Sequence, residues 1–184
     1  MVERKQRIQF RDFSTLSAED RELAERSKVQ GSVVNIFKTL MNHPVLTKAW
    51  LPFANHILGK TQTLSQRERE LIILRIGWLN QAVYEWEQHV LIGKRAGITD
   101  AEIERLKEGP KAQWGHHEAS LLQAADDLFA NSVVSDETWK DLSERYSTEQ
   151  MMDVVFTIGQ YNMVSWALNS FGVPLDDFLP GAKK

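Results

Sequence analysis

Recurring helix-start signals constrain the fold of this 184-residue chain more than any other feature. At four places a hydroxyl side chain stands three residues before a side-chain acceptor, which is the spacing of the capping box or a close variant of it. The pairs are Ser17 with Asp20, Ser65 with Glu68, Thr99 with Glu102, and Ser147 with Gln150. No run alternates apolar and polar residues convincingly enough to predict a strand. The sequence therefore predicts an all-α fold.

Apolar periodicity and glycine or proline breaks place the helices between these starts. We predict helices near 18–30, 32–42, 45–58, 66–80, 83–96, 100–108, 118–131, 136–145 and 148–170. The polar, turn-rich stretch from Gly109 to His117 is either a loop or a hinge between two helical halves. With 42% hydrophobic residues, a chain of this length can bury one sizeable core, so we expect one domain over residues 1–184.

Charge and cysteine content exclude several classes of function. The formal net charge is −3 and the basic residues are scattered, so no nucleic acid or anionic lipid partner is expected and a small molecule is favoured. The absence of cysteine excludes disulfides, zinc thiolates, iron–sulfur clusters and thiol nucleophiles. Residues 1–7 lack an apolar signal segment, so a cytoplasmic location is expected. The uncharged stretch 154–175 is interrupted by polar side chains, which favours a buried helix over a membrane span.

The predicted helix 83–96 turns two ionisable residues toward its apolar face. At about 100° per residue, Glu85 and His89 lie among Ile92 and Ala96, one turn apart and close enough to touch. Burying an ionisable group is costly unless it is paired, and perturbed proton affinities are enriched at catalytic sites. The pair is therefore either a structural core contact or part of an acid–base site.

A third carboxylate belongs to the predicted helix 66–80, which is apolar almost all round and should be buried. Glu70 lies on one side of this helix together with Leu74 and Gly77. It is either a first-turn carboxylate favoured by the helix dipole or a third proton-handling group.

Two segments, Arg67 to Arg75 and Tyr84 to His89, resemble the carboxymuconolactone decarboxylase family, which is related to alkylhydroperoxidase D. The resemblance is clearest over residues 64–98 and includes the family's interval between the glutamate at 70 and the histidine at 89. It implies an all-helical, alkylhydroperoxidase D-like fold that assembles into trimers or hexamers.

One departure from the family decides which chemistry is expected. Peroxidase members carry a C-x-x-C motif ahead of the histidine, whereas this chain has Ala82 and Glu85 at those positions. Dithiol peroxide reduction needs a thiolate and a resolving thiol, and neither is present. The site therefore resembles the decarboxylase branch, in which acid and base groups act without a metal or an organic cofactor.

On this interpretation the substrate is a small carboxylated or lactone compound, cyclic or derived from an aromatic. We expect His89 to donate a proton to carbon or oxygen, Glu85 to orient the imidazole, and Glu70 to relay a proton or bind a substrate hydroxyl. The same trio suits an isomerase or a dehydratase. An alternative from another class is a non-catalytic, ligand-binding homologue that has lost the peroxidase cysteines.

Neighbouring residues provide candidate substrate contacts. Arg75 either clamps a substrate carboxylate or forms a buried ion pair. Trp78, Tyr84 and Trp86 either form an aromatic wall for a planar substrate or belong to the core or to a subunit contact. The run 116–118, His-His-Glu, does not predict a metal site, because adjacent histidines on a helix point in different directions and leave too few ligands on one side. In the last helix, the hydrogen-bonding side chains of residues 160–162 either reach the site or join neighbouring helices.

The chain has six tryptophans and eight phenylalanines, many for a core of this size, so some should lie at subunit contacts and we expect a homo-oligomer.

Overall fold

The computed structural model describes residues 4–180 and 182, and helices dominate this part of the chain. The N-terminal elements are a 3-10 turn (Phe13–Thr15), α1 (Ala18–Glu25), β1 (Lys28–Val29), β2 (Ser32–Val33), α2 (Asn35–Leu40) and α3 (Pro44–Leu58). The others are α4 (Gln66–Leu79), α5 (Val83–Arg95), α6 (Asp100–Glu108), α7 (His116–Asn131), α8 (Asp136–Ser143) and α9 (Thr148–Phe171). The predicted all-α class is confirmed.

All four predicted helix starts are present. Ser65, Thr99 and Ser147 each accept a hydrogen bond from the backbone three residues on, and the side chain at that position bonds back to the cap. Ser17 caps α1 by accepting from the Asp20 backbone N–H. These reciprocal bonds satisfy amides that have no partner within the helix, which is why each helix begins at this point.

The prediction was wrong at the first helix, which ends at Glu25 rather than near residue 30. The next residues form a two-stranded antiparallel hairpin that pairs Lys28 with Val33. Its turn residues, Gln30 and Gly31, both have positive φ angles, of 51° and 82°. Such a two-residue turn matches the twist of paired strands. Gly31 therefore lies in a hairpin turn instead of separating two helices.

Helix α4 lies at the centre of the molecule and packs against α5, α6, α7 and α9. Every residue from Arg69 to Gly77 is buried. Ile72, Ile73 and Ile76 join the core formed with α7 and α9, whereas residues 71 and 74 join a second core formed with α5 and α6. Because α4 is enclosed on all sides, its charged side chains after the first turn lie inside the protein.

The chain after α9 is fastened back onto the helices by the carboxylate of Asp176. This carboxylate accepts hydrogen bonds from the Asn35 backbone at 2.7 Å, the Tyr84 hydroxyl at 2.5 Å and the Gln88 amide at 2.7 Å. The segment that follows Gly172 is thereby held against α2 and α5. No helix in the described part of the chain is long and apolar enough to cross a bilayer.

Candidate active site

The structure brings Glu70, Glu85 and His89 together in the interior, and all three side chains are buried. The Nδ1 atom of His89 lies 2.6 Å from Oε2 of Glu70, and Nε2 lies 3.1 Å from Oε1 of Glu85. Both nitrogens of one imidazole thus face a carboxylate, the first from α4 and the second one turn earlier on α5.

Small residues let α4 and α5 approach closely enough for this contact. A side chain at Gly77 would meet Cγ of Glu85 at 3.4 Å, and one at Gly93 would press on Leu74 at 3.2 Å. The connection between the helices is tight: Gln81 has a φ of 53°, and the next amide bonds to the Gly77 carbonyl at 2.9 Å. Glycine at these contacts therefore sets the distance across which Glu70 and His89 meet.

The two carboxylates differ in how well they are satisfied. The bond between Glu70 and His89 is short, as expected of a charge-assisted hydrogen bond. The contact of Glu85 is close but poorly aligned, and Oε1 of Glu85 has no hydrogen-bond partner within the described chain. The same holds for Oε1 of Glu70. Buried carboxylate oxygens without partners are costly, and they are the free acceptors that a bound ligand would use.

Burial and mutual charge shift the proton affinities of the group. Burial raises the pKa of Glu85 to about 7; the His89 charge opposes this rise and the Glu70 charge adds to it. Burial lowers the pKa of His89, but the carboxylates of Glu70 and Glu85 outweigh it, and the net pKa is raised. Near neutral pH Glu85 therefore exchanges a proton, the raised pKa favours the charged form of His89, and the pair titrates as a unit.

Two further side chains border the trio. Arg69 is buried, and its Nε lies 3.6 Å from Oε1 of Glu70 without a hydrogen-bond partner in the described structure. The Tyr161 ring from α9 meets the His89 ring edge-on, with centroids 4.9 Å apart. Burial, with the nearby carboxylates, holds the Tyr161 pKa well above its usual value. Sequence reasoning missed Arg69, although a helix buried all round forces each of its charges to find a partner.

Arg75 directs its guanidinium to groups within the protein. Its Nε and one terminal nitrogen bond both oxygens of Asp126, at 2.6 and 2.8 Å. The other terminal nitrogen donates to the carbonyls of Leu106 and Lys107. The structure thus supports the ion-pair interpretation of Arg75, which ties α4 to α6 and α7.

The three predicted aromatic residues lie beside a different space from the trio. Trp78 and Trp86 pack with ring centroids 5.3 Å apart, and the amine of Lys107 sits over both rings. Together with Tyr84 they line a partly open cavity of about 880 Å³. Tyr84 directs its hydroxyl to Asp176. The three aromatic side chains therefore line one cavity, and His89 is not part of that lining.

A second cavity, of about 210 Å³, lies between α2, α3 and α9 and has an apolar lining. Its two threonines, Thr39 and Thr47, bond their hydroxyls to backbone carbonyls. The indole nitrogen of Trp50, also in the lining, is buried and has no hydrogen-bond partner in the described structure. Neither cavity is lined by Glu70, Glu85 or His89.

The histidines at 116 and 117 have separate surroundings. His117 contacts Glu68 at 3.2 Å and the Tyr146 hydroxyl at 2.9 Å, whereas the His116 side chain is largely exposed. Glu118 pairs with Arg67. Within residues 4–180 and 182, no group of three or more histidine, aspartate or glutamate side chains is arranged so that it could hold a metal ion.

Comparison with known proteins agrees with the sequence resemblance. Residues 44–108 match the carboxymuconolactone decarboxylase family model, and this segment contains the whole trio. The uncharacterized protein YdfG of Bacillus subtilis is 26% identical over 110 residues, which cover 58% of this chain and 74% of the relative.

Solved structures share the fold at low identity. An uncharacterized peroxidase-related protein from Ralstonia eutropha, described as an alkylhydroperoxidase AhpD core, superposes with a TM-score of 0.82 at 20% identity, covering 93% of this chain and 92% of its own. An uncharacterized peroxidase-related protein from Silicibacter superposes with a TM-score of 0.82 at 18% identity, covering 99% of this chain and 98% of its own. The debrominase Bmp8, in complex with 2,3,4-tribromopyrrole, superposes with a TM-score of 0.70 at 16% identity, covering 88% of this chain and 90% of its own. The predicted resemblance and the alkylhydroperoxidase D-like fold are confirmed.

Proposed function

From the premise that this chain carries a carboxymuconolactone decarboxylase segment in an alkylhydroperoxidase D-like fold, we propose that it is a cytoplasmic, cofactor-independent lyase. It decarboxylates a small carboxylated or lactone compound by acid–base proton transfer. One observation supports this most directly: a buried imidazole, His89, lies between two carboxylates, and one of them, Glu85, has a pKa of about 7. A proton held there is available at neutral pH.

Each member of the trio has a role in this proposal. Glu70, through its short bond to Nδ1, fixes the orientation of the imidazole and keeps it charged. Nε2 of His89 and the loosely bonded Glu85 form the proton-donating pair. When the carbon–carboxylate bond breaks, carbon dioxide leaves and the bonding electrons pass into an enolate, whose carbon takes the proton from this pair. Solvent then returns a proton to the pair.

Arg69 takes the role that the sequence suggested for Arg75. Its guanidinium is buried beside Glu70 and retains an unused N–H at Nε. A fixed positive charge at this position attracts a substrate carboxylate and stabilises the enolate oxygen that develops as carbon dioxide departs.

A second candidate function has its own observation. Because neither described cavity reaches the trio, the group also fits a core network in a non-catalytic, ligand-binding homologue. In that case a ligand would occupy one of the two cavities, and substitutions in the trio would change stability rather than turnover.

The two candidates are separated by measuring carbon dioxide released from a panel of β-keto acids and carboxylated lactones. We expect His89→Ala, Glu85→Gln and Glu70→Gln each to lower turnover by roughly 100-fold or more, with helical circular dichroism unchanged. His116→Ala is the matched control, because that histidine is largely exposed and outside the trio. Equal turnover in all three variants removes the catalytic role. Release from none of the panel by the folded wild type favours the binding protein.

A further inference from the structure

Helix α9 carries an exposed apolar stripe that the proposed chemistry does not use. Met152, Phe156, Met163 and Trp166 are between 45% and 57% exposed, and the exposed Gly159 lies in the middle of them. We call these five residues the α9 seam. They are spaced four, three, four and three residues apart, which is the heptad spacing of a helix that packs along another helix.

Helix α3 widens the same surface. Phe53 of α3 packs edge-on against Phe156, with centroids 5.9 Å apart. At the other end of α3, Val45 and Leu46 are more than half exposed. Leu46 shares the lining of the apolar cavity with Met163 of the α9 seam. The seam therefore borders an apolar groove between two helices rather than forming an isolated stripe.

The size of this surface is that of a protein contact. The surface consists of the four apolar side chains of the α9 seam together with Val45 and Leu46. At roughly 200 Å² each and about half exposed, these six side chains present about 600 Å² of apolar surface per copy, compared with the about 800 Å² that each partner contributes to a standard interface. The exposed face of α9 from Met152 to Trp166 also carries no charged side chain. A solvated helix face is normally charged, so this face has the composition of an interface core.

We propose that the α9 seam is the contact between two copies of this chain, with the two α9 helices antiparallel and a two-fold axis at Gly159. The register follows from the spacing, because Met152 and Trp166 lie seven residues on either side of Gly159. A two-fold axis there places Met152 opposite the partner's Trp166. Phe156, three residues before the axis, then faces the partner's Met163, four residues after it. The seam is thus complementary to itself, as an isologous contact requires.

The central glycine suits an axis. A Cβ at Gly159 would meet nothing within 4 Å in the isolated chain, so no packing inside the protein requires glycine there. Without a side chain, two helix backbones can approach closely at that point. A two-fold axis also brings identical groups together, and an uncharged seam avoids the repulsion that a charged one would suffer.

This contact has two structural consequences. A second copy on the seam covers the apolar cavity, whose lining includes Leu46 and Met163. It also restricts the assembly, because a two-fold contact builds a dimer, or a hexamer made of such dimers, and does not by itself build the trimer that the family resemblance allows.

The first test compares two tryptophans of similar exposure by sedimentation equilibrium. Trp166, in the seam, is 57% exposed, and Trp139, on α8, is 46% exposed. We expect an even-numbered wild-type assembly, a rise of roughly 30-fold or more in the dimer dissociation constant for Trp166→Glu, and no change for Trp139→Glu. Both variants should keep their helical circular dichroism, because the side chains are half exposed. Met152→Glu repeats the test should Trp166→Glu fail to fold.

Three results would overturn the proposal: a monomeric wild type at micromolar concentration, an unchanged assembly in the seam variants, or dissociation by Trp139→Glu instead. The register has its own test, because the chain contains no cysteine and any introduced thiol is unique. Gly159→Cys should form an intermolecular disulfide under mild oxidation. Phe156→Cys should not, since its copies lie about 9 Å apart along the axis, beyond the reach of a disulfide.

A double variant, Met152→Cys with Trp166→Cys, checks the register without altering the axis and should also cross-link. Cross-linking by Phe156→Cys, or by neither of the other two variants, overturns the antiparallel arrangement.

Discussion

Helix α4 presents two glutamates, two residues apart, to two groups of the same composition. Glu68 meets His117, whose ring lies edge-on to Tyr146 at 4.8 Å. Glu70 meets His89, whose ring lies edge-on to Tyr161 at 4.9 Å. We call these the Glu68 network and the Glu70 network. They use the same three side-chain types, yet they differ in burial and in how many hydrogen bonds they make.

In the Glu68 network every carboxylate oxygen has a partner. Glu68 accepts from the Ser65 backbone, the Tyr146 hydroxyl and His117. Burial alone would raise the pKa of Glu68, but these hydrogen bonds outweigh it and the pKa is lowered. The Glu70 network instead adds the second carboxylate, Glu85, with unbonded oxygens and a pKa near 7. Deeper burial together with fewer hydrogen-bond donors, rather than residue type, decides which network can exchange a proton at neutral pH.

The largest expected difference between the networks is in stability after loss of the α4 carboxylate. Glu70→Ala removes the buried carboxylate that bonds His89 and lies beside Arg69, so we expect a loss of about 3–5 kcal/mol in the free energy of unfolding. Glu68→Ala removes the glutamate half of the capping box and two side-chain hydrogen bonds at a partly exposed site, for which about 1–2 kcal/mol is expected. Urea denaturation of both variants measures the difference. Equal losses would mean that the Glu70 network is not electrostatically distinct.

The pH dependence of the networks should have opposite signs. The pKa of Glu85 rises on folding from 4.5 to about 7, so the folded protein binds a proton that the unfolded chain releases. Stability therefore falls as pH rises through this window, by about 3 kcal/mol for a shift of this size. The raised pKa of His89 acts in the same direction, because its stabilisation is lost as pH rises through the folded pKa. Glu68, with a lowered pKa, loses its contribution as pH falls.

Unfolding measured between pH 4 and 8 checks these signs. Glu85→Gln should flatten the decline toward pH 8, because the amide does not titrate. Glu68→Gln should flatten only the decline on the acid side. A wild-type protein whose stability rises steadily from pH 5 to 8, with no change in that slope for Glu85→Gln, would contradict the raised pKa of Glu85.

The smallest expected effect separates the two tyrosines. Tyr146 donates to Glu68 at 2.8 Å and bonds His117, so Tyr146→Phe should cost about 1 kcal/mol. Tyr161 contacts His89 through its ring, with the ring centroids 4.9 Å apart. Tyr161→Phe keeps the ring, so a change below about 0.5 kcal/mol is expected. Thermal unfolding of both variants is sufficient, and a larger cost for Tyr161→Phe would reverse the comparison.

Features encoded over one turn of helix were predictable from the sequence. Reciprocal caps at Ser65, Thr99 and Ser147 depend on residues three apart, so the helices begin where the spacing indicates. The inward face shared by Glu85 and His89 depends on a spacing of four, and both residues are buried. In each case the controlling contact lies within one element.

Contacts between distant elements were not predictable in this way. The ion pair of Arg75 with Asp126 crosses 51 residues of chain, and no local pattern indicates it. Glu70, rather than Glu85, holds His89 by the short bond, because the approach of α4 to α5 sets that distance. The hairpin turn at Gln30 and Gly31 was missed because a glycine indicates that a helix ends, but not whether a loop or a hairpin turn follows.

The hydrogen bonds that Asp176 accepts from α2 and α5 limit the order in which parts of the chain can fold during synthesis. The Asn35 amide at the start of α2 bonds a carboxylate 141 residues later in the chain. Until Asp176 has been synthesised, this amide and the Tyr84 hydroxyl lack their acceptor. The contact of Asp176 with Asn35 and Tyr84 therefore cannot form before all the helices between them have been synthesised.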